Sequence, residues 1–478
     1  MRRMLTGVLL LSWFLPAQSD PPVEVLVITN VNVVDTRAGE IQPHMTVVIK
    51  NGRIDSMARV GMIGFSRHTH LVNATNKYLI PGLWDMHVHS AGGSGVPWNE
   101  KVIFPLYIAN GITGIRDMGG DLKILKERKS RIERGEVVGP NMVISGPFLD
   151  GGKAEEYSLS ANTPEEARAA VDKVKAEGMD FVKILSRLPR EAYFAVAEES
   201  RKQHIPFAGH VPESIGAAEA SDAGQRSIEH VVDVMMSCSR EESELRKQRL
   251  EARRQRDNKS YHAAGMRSLE TYDHGTAAAL FAKFKKNDTW QVPTLVWWKV
   301  QSELDSASAS DTRLSYVPAS IRKEWDPAKI KQETPADLVA DLKKAVSGYS
   351  ELTGNLDRAK VPILAGTDSP DPYDFPGFSL HEELELLVKA GLTAREALRS
   401  ATYNPALFLD KLSQYGVVEK TRVADLVLLD ADPLTDIRNT RSIAGVIRAG
   451  KYYPREELDK MLAQAAEAAA RDQVTSAH

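Results

Sequence analysis

Short apolar runs separated by turn residues begin near residue 25 and return close to the other end of the chain. They are residues 25–28, 31–34, 45–50, 424–430 and 445–453. The third run meets Asn51-Gly52, a dipeptide typical of tight β-hairpins. The pattern predicts a small β-sandwich built from both chain ends, with residues 20–78 as its N-terminal part and residues 403–454 as its C-terminal part.

Between residues 79 and 402, short apolar runs alternate with segments of helical period. Repeated strand–helix units of this kind predict an α/β fold with a parallel sheet. The candidate strands are residues 79–89, 112–117, 142–147, 180–186, 205–210, 226–231, 290–296 and 361–368. Eight such units favour a (β/α)8 TIM barrel, and a doubly wound open sheet is the alternative.

Two long segments interrupt the rhythm, at residues 239–287 and 297–360. In a barrel both would follow strands on the catalytic face, so they are candidate lids, while solvated helical hairpins are the alternative. The final segment, residues 455–478, is rich in alanine, leucine and glutamate and predicts a surface helix with a tail.

The first residues have the layout of a secretory signal peptide. A basic start precedes an apolar run over residues 5–15, and Ala17 and Ser19 are placed for cleavage after Ser19. The run is too short to span a bilayer comfortably, so an uncleaved anchor is the weaker alternative. We expect a signal peptide at residues 1–19 and an exported protein, periplasmic or secreted, with no membrane contact after cleavage.

Composition narrows the class of partner. The 478 residues are 42% hydrophobic, and 61 basic against 64 acidic side chains give a formal charge of −3, which argues against a nucleic-acid binder. Cys238 is the only cysteine, so an internal disulfide is excluded and a buried apolar role is expected. The sequence leaves a homo-oligomer open.

Polar residues able to do chemistry fall on the predicted strands, mostly at their carboxyl ends, where barrel active sites are built. His87 and His89 end the first strand, and alternate residues of a strand share one side. Lys183 interrupts an apolar run on the fourth strand. The fifth, sixth and eighth strands end in His210, His230 and Asp368.

Four histidines, a buried lysine and an aspartate suit two divalent cations better than one. A mononuclear site would be complete without the lysine. Burial lowers a lysine pKa and makes the neutral amine available to add carbon dioxide, so we expect a carboxylated Lys183 as a bridging anionic ligand. Imidazole-rich sites favour Zn²⁺.

These residues carry a resemblance to the amidohydrolase superfamily, in its imidazolonepropionase-like and prolidase-like branch. PGLWDMHVH resembles the family's first-ligand motif, with His87 and His89 as ligands. Lys183 in VKI, the strand-ending His210 and His230, and Asp368 in AGTD match its remaining metal ligands. The resemblance spans nearly the whole mature chain and implies a barrel with a split β domain and metal-dependent hydrolysis.

The expected reaction is hydrolysis of an amide or peptide-like C–N bond by a metal-bound hydroxide, with Asp368 moving the proton to the departing amine. The resemblance suggests a small carboxylate-bearing substrate, a dipeptide or an N-acyl amino acid. A cyclic amide, as in imidazolonepropionase-like enzymes, is an alternative. A non-catalytic binding protein on the same barrel is another.

Other polar residues are less specific signals. Arg116 and Asp117 end the second strand and suit a structural ion pair or substrate binding equally. His381 has two possible roles, a contact with the substrate or a position at the start of a helix. His68 and His70 repeat the His-x-His spacing in a polar stretch of the β region, and we expect loop residues there.

Overall fold

The computed structural model of the protein describes residues 25–66, 69–92 and 97–472, so the expected signal peptide and His68 lie outside the described residues. The strands are β1 (Val25–Asp35), β2 (Glu40–Lys50), β3 (Arg53–Arg59), β4 (His70–Asn73), β5 (Tyr78–Pro81), β6 (Leu83–Val88), β7 (Ile112–Asp117), β8 (Asn141–Ile144), β9 (Phe148–Asp150), β10 (Ser158–Ser160), β11 (Val182–Ile184), β12 (Phe207–Gly209), β13 (Ser227–Glu229), β14 (Trp290–Val292), β15 (Leu426–Leu429), β16 (Ile443–Arg448) and β17 (Lys451–Pro454).

The α-helices follow the same order along the chain. They are α1 (Glu100–Ala109), α2 (Leu122–Glu133), α3 (Pro164–Ala176), α4 (Arg190–Lys202), α5 (Ala217–Asp222), α6 (Val232–Ser237), α7 (Glu242–Gln255), α8 (Asn258–Glu270), α9 (His274–Asn287), α10 (Leu295–Glu303), α11 (Pro327–Glu333), α12 (Ala336–Arg358), α13 (Phe378–Ala390), α14 (Ala394–Ser400), α15 (Tyr403–Phe408) and α16 (Arg455–Arg471). The fold is therefore mixed α/β.

Strands from both chain ends share one sheet, in the order β17-β16-β15-β5-β1-β2-β3, with β4 paired to β1. Asn51 and Gly52 form the turn between β2 and β3, with φ of 50° and 73°, the left-handed pair that this hairpin requires. Apolar residues of the two ends, such as Leu26, Ile49 and Leu428, pack in one separate core. The strands of both chain ends form one continuous hydrogen-bonded sheet, whose β3 edge is bridged at Arg53 to Val423, and its closure into a β-sandwich stays a prediction.

Parallel strands form the middle of the chain. One sheet has the order β10-β9-β11-β12-β13-β14 and another the order β6-β7-β8. Isolated parallel bridges join Gln291 to Ile363 and Val88 to Ser369, so residues 361–369 run between the two sheets. On the opposite side, the Asp180 backbone N–H donates to Ile144 O at 2.9 Å.

Observed strand boundaries differ from the predicted ones where apolar runs continue past the ladder. The predicted first strand divides at Gly82, and β5 joins the terminal sheet while β6 joins the parallel one. A Cβ on Gly82 would lie 2.0 Å from Thr113 Oγ1, so only glycine fits this change of sheet. The predicted eighth strand carries bridges without a regular ladder, and the short β9 and β10 were not predicted.

The two long segments that interrupt the strand–helix pattern are helical. Residues 239–287 hold α7, α8 and α9, and residues 297–360 include most of α10 with α11 and α12. The C-terminal helix α16 buries Leu458, Ala465 and Ala469 and packs against α1. No helix in the described part of the chain combines the length and apolar composition that crossing a bilayer requires.

Candidate active site

The sequence-predicted site residues lie on or just after the parallel strands. His87 is in β6 and His89 follows it, Lys183 is the middle residue of β11, and His210 and His230 directly follow β12 and β13. Asp368 lies in the segment between the two bridges. The φ values of His230 and Asp368 are 70° and 73°, so the backbone is strained at two of these positions.

Asp368 is the point on which three imidazoles converge. Its Oδ1 lies 3.2 Å from Nε2 of His87 and 3.2 Å from Nε2 of His89, and its Oδ2 lies 3.8 Å from Nε2 of His230. The His210 ring centroid is 4.9 Å from that of His230, so the fourth imidazole adjoins the cluster. The ligand atoms of His87, His230 and Asp368 all lie within 4.8 Å of one another.

Each of the four histidines has its Nδ1 occupied by another part of the protein. The partners are Glu229 Oε2 for His87 at 2.9 Å, Gly119 O for His89 at 2.8 Å, Ser186 Oγ for His210 at 2.9 Å and Thr294 Oγ1 for His230 at 2.9 Å. A carboxylate and a carbonyl only accept, so Nδ1 of His87 and His89 must donate, and their Nε2 atoms carry the lone pairs. Partners of this kind orient metal-bound imidazoles.

The donor set fits a metal. Nε2 of His87 is buried without a hydrogen-bond partner, and an unsatisfied buried lone pair is costly unless something coordinates it. Burial lowers the pKa of His230 to about 3 and that of His210 well below its usual value, so both rings are neutral ligands at physiological pH. Burial alone would raise the pKa of Asp368, but the neighbouring His87 and His230 rings hold it well below its usual range.

Lys183 is fully buried beside this cluster. Burial lowers the pKa of its ammonium to about 8, although the carboxylates of Glu229 and Asp368 oppose the shift. Its charge in turn contributes to the lowered pKa values of His210 and His230. Near pH 8, Lys183 is therefore neutral in a large fraction of the molecules. Its amine is close to the imidazoles.

A buried ion pair supports the first strand, and sequence reasoning missed half of it. Both Nη2 contacts of Arg116 to Glu229 are 3.0 Å, and Arg116 Nε donates to Met86 O at 2.6 Å. Arg116 is thus in an ion pair, but its partner is Glu229, while Asp117 accepts from Ser90 N and Oγ. The sequence did offer a signal for Glu229, because a carboxylate lies inside the apolar run just before His230. A buried carboxylate needs a cation as its partner.

Asp85 is a second residue that the sequence reasoning missed. Its carboxylate accepts from Thr367 N at 3.0 Å and Thr367 Oγ1 at 2.8 Å, which ties the strand of His87 to the segment of Asp368. Burial raises the pKa of Asp85 to about 7, and the Thr367 bonds partly offset it. A buried aspartate two residues before His87 in the PGLWDMHVH motif was the available signal.

Aromatic residues line the cluster. The Phe148 ring centroid lies 5.6 Å from that of His89, and that of Trp297 lies 6.0 Å from that of His230. Trp297 Nε1 donates to Asp371 Oδ2 at 2.9 Å. These rings form a partly apolar wall of the kind that small-molecule pockets use.

Two further histidines have structural surroundings. His381 is buried, with Nδ1 at 2.9 Å from Thr440 Oγ1 and Nε2 at 3.0 Å from Asn110 O, so neither nitrogen is left for a substrate. His70 begins β4 in the terminal sheet, where its ring packs edge-on against Tyr452, and is exposed.

Cys238 is fully buried, and burial raises the pKa of its thiol.

Comparisons with known proteins agree with this architecture. The chain is 23% identical to ochratoxinase from Aspergillus niger over 441 residues, covering 78% of this chain and 75% of the relative. Bottromycin amidohydrolase superposes with a TM-score of 0.70 at 20% identity, covering 95% of this chain and 92% of that chain. A Xaa-Pro dipeptidase with bound methionine in its active site superposes with a TM-score of 0.65 at 19% identity, covering 90% and 100%.

A family model that matches most of the chain identifies the family to which the protein belongs. The amidohydrolase family profile matches residues 78–452, which includes strands β5 to β16 and every candidate ligand. The chain therefore belongs to the amidohydrolase family and is a hydrolase of carbon–nitrogen bonds.

Proposed function

We propose that the protein is an exported binuclear amidohydrolase that cleaves the amide bond of a small carboxylate-bearing substrate, a dipeptide or an N-acyl amino acid. The single observation that carries the proposal is the uniform orientation of the four histidines. Each Nδ1 is held by the protein, so each Nε2 remains for a ligand, and three of these atoms point at Asp368.

Six side chains would hold two divalent cations, preferably Zn²⁺. They are His87, His89, Lys183, His210, His230 and Asp368. Lys183 fits a bridging role after carboxylation because its amine is partly neutral and adjoins the imidazoles. When bound, such a metal pair lowers the pKa of water and polarises a carbonyl oxygen.

Asp368 is the catalytic residue of the proposal. Its carboxylate is ionised and lies 3.2 Å from two imidazoles, so it can accept the proton of the attacking water. The same carboxyl then donates the proton to the amine nitrogen as the C–N bond breaks. Because its side chain is only 15% exposed, bulk solvent competes weakly for that proton.

A closed (β/α)8 barrel is the fold that we propose around this site. Support comes from the two bridges of residues 361–369 and from the hydrogen bond between Asp180 N and Ile144 O, which connect the two parallel sheets on both sides. Closure would bring the carboxyl ends of all the strands to one mouth.

The substrate class follows the relatives. Their names point to a Xaa-Pro dipeptide, ochratoxin and bottromycin, and a dipeptide has an amide bond close to a free carboxylate. The N-terminal apolar run supports export, and we expect a periplasmic or secreted enzyme without nucleic-acid or membrane partners. A homo-oligomer is compatible with this proposal.

The proposal is tested on the purified mature protein with a panel of dipeptides and N-acyl amino acids, before and after treatment with a chelator. We expect hydrolysis that chelation abolishes and added Zn²⁺ restores, and elemental analysis should find two metal equivalents per chain. Asp368→Asn should lose nearly all activity, and Lys183→Met should lose metal as well. Hydrolysis indifferent to chelator, or activity only on esters, would contradict the proposal.

A further inference from the structure

Acidic residues recur three positions after three of the candidate ligands. Glu213 follows His210, Asp233 follows His230 and Asp371 follows Asp368, each by three residues. These positions lie in the loops and helix starts beyond the parallel strands, on the face that holds the candidate metal site. We therefore expect the three carboxylates on the same side of the sheets as the candidate metal site.

Two of these three acids have an arginine partner from α7. Arg253 is in an ion pair with Glu213, and Arg249 Nη1 lies 3.3 Å from Asp233 Oδ1. Asp371 differs, since no lysine, arginine or histidine nitrogen lies within 4.0 Å of its carboxylate in the described ranges. Its acceptor bonds come from neutral donors, Trp297 Nε1 at 2.9 Å and Gln301 Nε2 at 2.8 Å.

The neutral donors hold the Asp371 carboxylate against the wall of the site. Trp297 and Gln301 are one helical turn apart on α10, and both bind the same oxygen, Oδ2. The second oxygen, Oδ1, remains for a ligand. Backbone hydrogen bonds in both directions between Asp371 and Asp374 fix the turn that carries the carboxylate.

The carboxylate lies near the candidate metal site, one side chain away from His230. The Trp297 ring that it contacts lies 6.0 Å from the His230 ring. Burial raises the pKa of Asp371 to about 6 against the Trp297 hydrogen bond, and Asp368 and His89 are both close enough to act on it. Asp371 is only partly buried, which leaves it open to the cleft.

We propose that Asp371 binds the primary ammonium group of the substrate, on the residue that provides the scissile carbonyl. A partly buried carboxylate with only neutral hydrogen-bond partners is stabilised when a cationic ligand binds to it. An ammonium–carboxylate hydrogen bond is among the stronger ones. In an α-amino acyl group the nitrogen is two bonds from the carbonyl carbon, about 2.5 Å away. Asp371 lies only three residues beyond Asp368. That position suits an α-ammonium group, which is close to the scissile carbonyl, better than it suits the distant ammonium group of a substrate side chain.

This inference rests on the proposed function and narrows it to dipeptides with a free amino terminus. It is tested with L-alanyl-L-phenylalanine and propionyl-L-phenylalanine, which differ only in the ammonium group. The measured quantity is the ratio of their kcat/KM values, determined for the metal-loaded full chain and for the variants Asp371→Asn and Trp297→Phe.

Asparagine keeps an oxygen that accepts from Trp297 and Gln301 but removes the charge. We expect the wild type to prefer the free-amine substrate and Asp371→Asn to lower the ratio about 10- to 100-fold, the range of one charge-assisted hydrogen bond. Trp297→Phe keeps the charge and removes one positioning bond, so its ratio should stay close to that of the wild type.

Several outcomes would overturn the inference. A wild type that prefers propionyl-phenylalanine would do so, and so would an Asp371→Asn variant that slows both substrates equally, which indicates a purely positioning role. These results would leave the proposed amidohydrolase function standing. Absence of metal-dependent hydrolysis across the whole amide panel would instead remove the proposed function together with the inference.

Discussion

Replacing Arg116 by methionine would leave a carboxylate buried without its cation. The Arg116 side chain is 1% exposed and that of Glu229 is 0% exposed. Arg116 provides two of the hydrogen bonds that Glu229 accepts, and the others come from His87 Nδ1 at 2.9 Å and Ser227 Oγ at 2.5 Å. Methionine fills part of the volume of the arginine stem but offers no donor.

The expected loss follows from what remains around Glu229. Removing one partner of a buried ion pair costs about 3–5 kcal/mol, because the other charge stays buried and unpaired. Two hydrogen bonds to Glu229 survive, so we expect about 3 kcal/mol for Arg116→Met. In the double variant Arg116→Met/Glu229→Gln neither charge of the pair is left, and the loss should be smaller than the sum of the single losses by about 2 kcal/mol.

The pH dependence gives a second, independent signature. In the wild type, Arg116 and His87 hold the pKa of Glu229 far below its usual range despite its burial. That contribution to stability is present above the unfolded pKa, and is lost only as the pH falls through the depressed folded value. Without Arg116 we expect burial to outweigh the remaining partners and raise this pKa, so the deficit of Arg116→Met should shrink as the pH is lowered from 8 to 5.

The assay is the free energy of unfolding from urea titrations of the metal-free protein, followed by tryptophan fluorescence. Metal is left out because it stabilises the folded state by binding. Arg128→Met is the matched control, since buried Arg128 donates to the carbonyl oxygens of Ser90 and Trp98 and leaves no carboxylate behind. Additive losses in the cycle, or a deficit as independent of pH as that of Arg128→Met, would refute the reasoning.

Three further outcomes are expected. Glu229→Gln should weaken metal binding about 10- to 100-fold in chelator competition, because the amide holds the Nδ1–H of His87 less firmly; unchanged affinity would contradict this. Burial raises the pKa of Glu383 to about 8, so wild-type stability should fall by up to about 1.4 kcal/mol per pH unit between pH 5 and 8, and urea titrations of Glu383→Gln should show a flatter profile. A Cβ on Gly366 would lie 2.8 Å from His87 Cβ, so Gly366→Ala should lower the melting temperature and metal affinity, whereas Gly64→Ala, with nothing within 4 Å, should change neither.

The sequence predicted the parts of this molecule whose signals are local. Strand positions followed from short apolar runs, and the candidate ligands followed from polar residues at the ends of those runs. His87 and His210 were found in this way although they are more than a hundred residues apart. Boundaries were less accurate, since an apolar run such as residues 290–296 continues from β14 into the buried start of α10.

Pairings between distant strands could not be predicted in the same way. Arg116 and Asp117 are neighbours in sequence, yet adjacent residues of a strand point to opposite sides, so Arg116 meets Glu229 and Asp117 meets Ser90. Choosing Glu229 as the partner requires knowing which strand lies opposite β7 across the interior. No periodicity in the sequence contains that information.

The helices α7 and α8 are part of the site's surroundings rather than a solvated addition, and buried charge provides the argument. Arg249 is 6% exposed, contacts Asp233 at 3.3 Å and lies over the Tyr261 ring at 4.2 Å from its centroid. Glu213 is 2% exposed and accepts from Tyr261 Oη at 2.8 Å. Without these helices, two carboxylates three residues beyond His210 and His230 would lose their cations, and these anions would repel the carboxylate of the proposed substrate. The segment therefore neutralises Glu213 and Asp233, whereas Asp371 has no ion-pair partner among the residues that the structure describes.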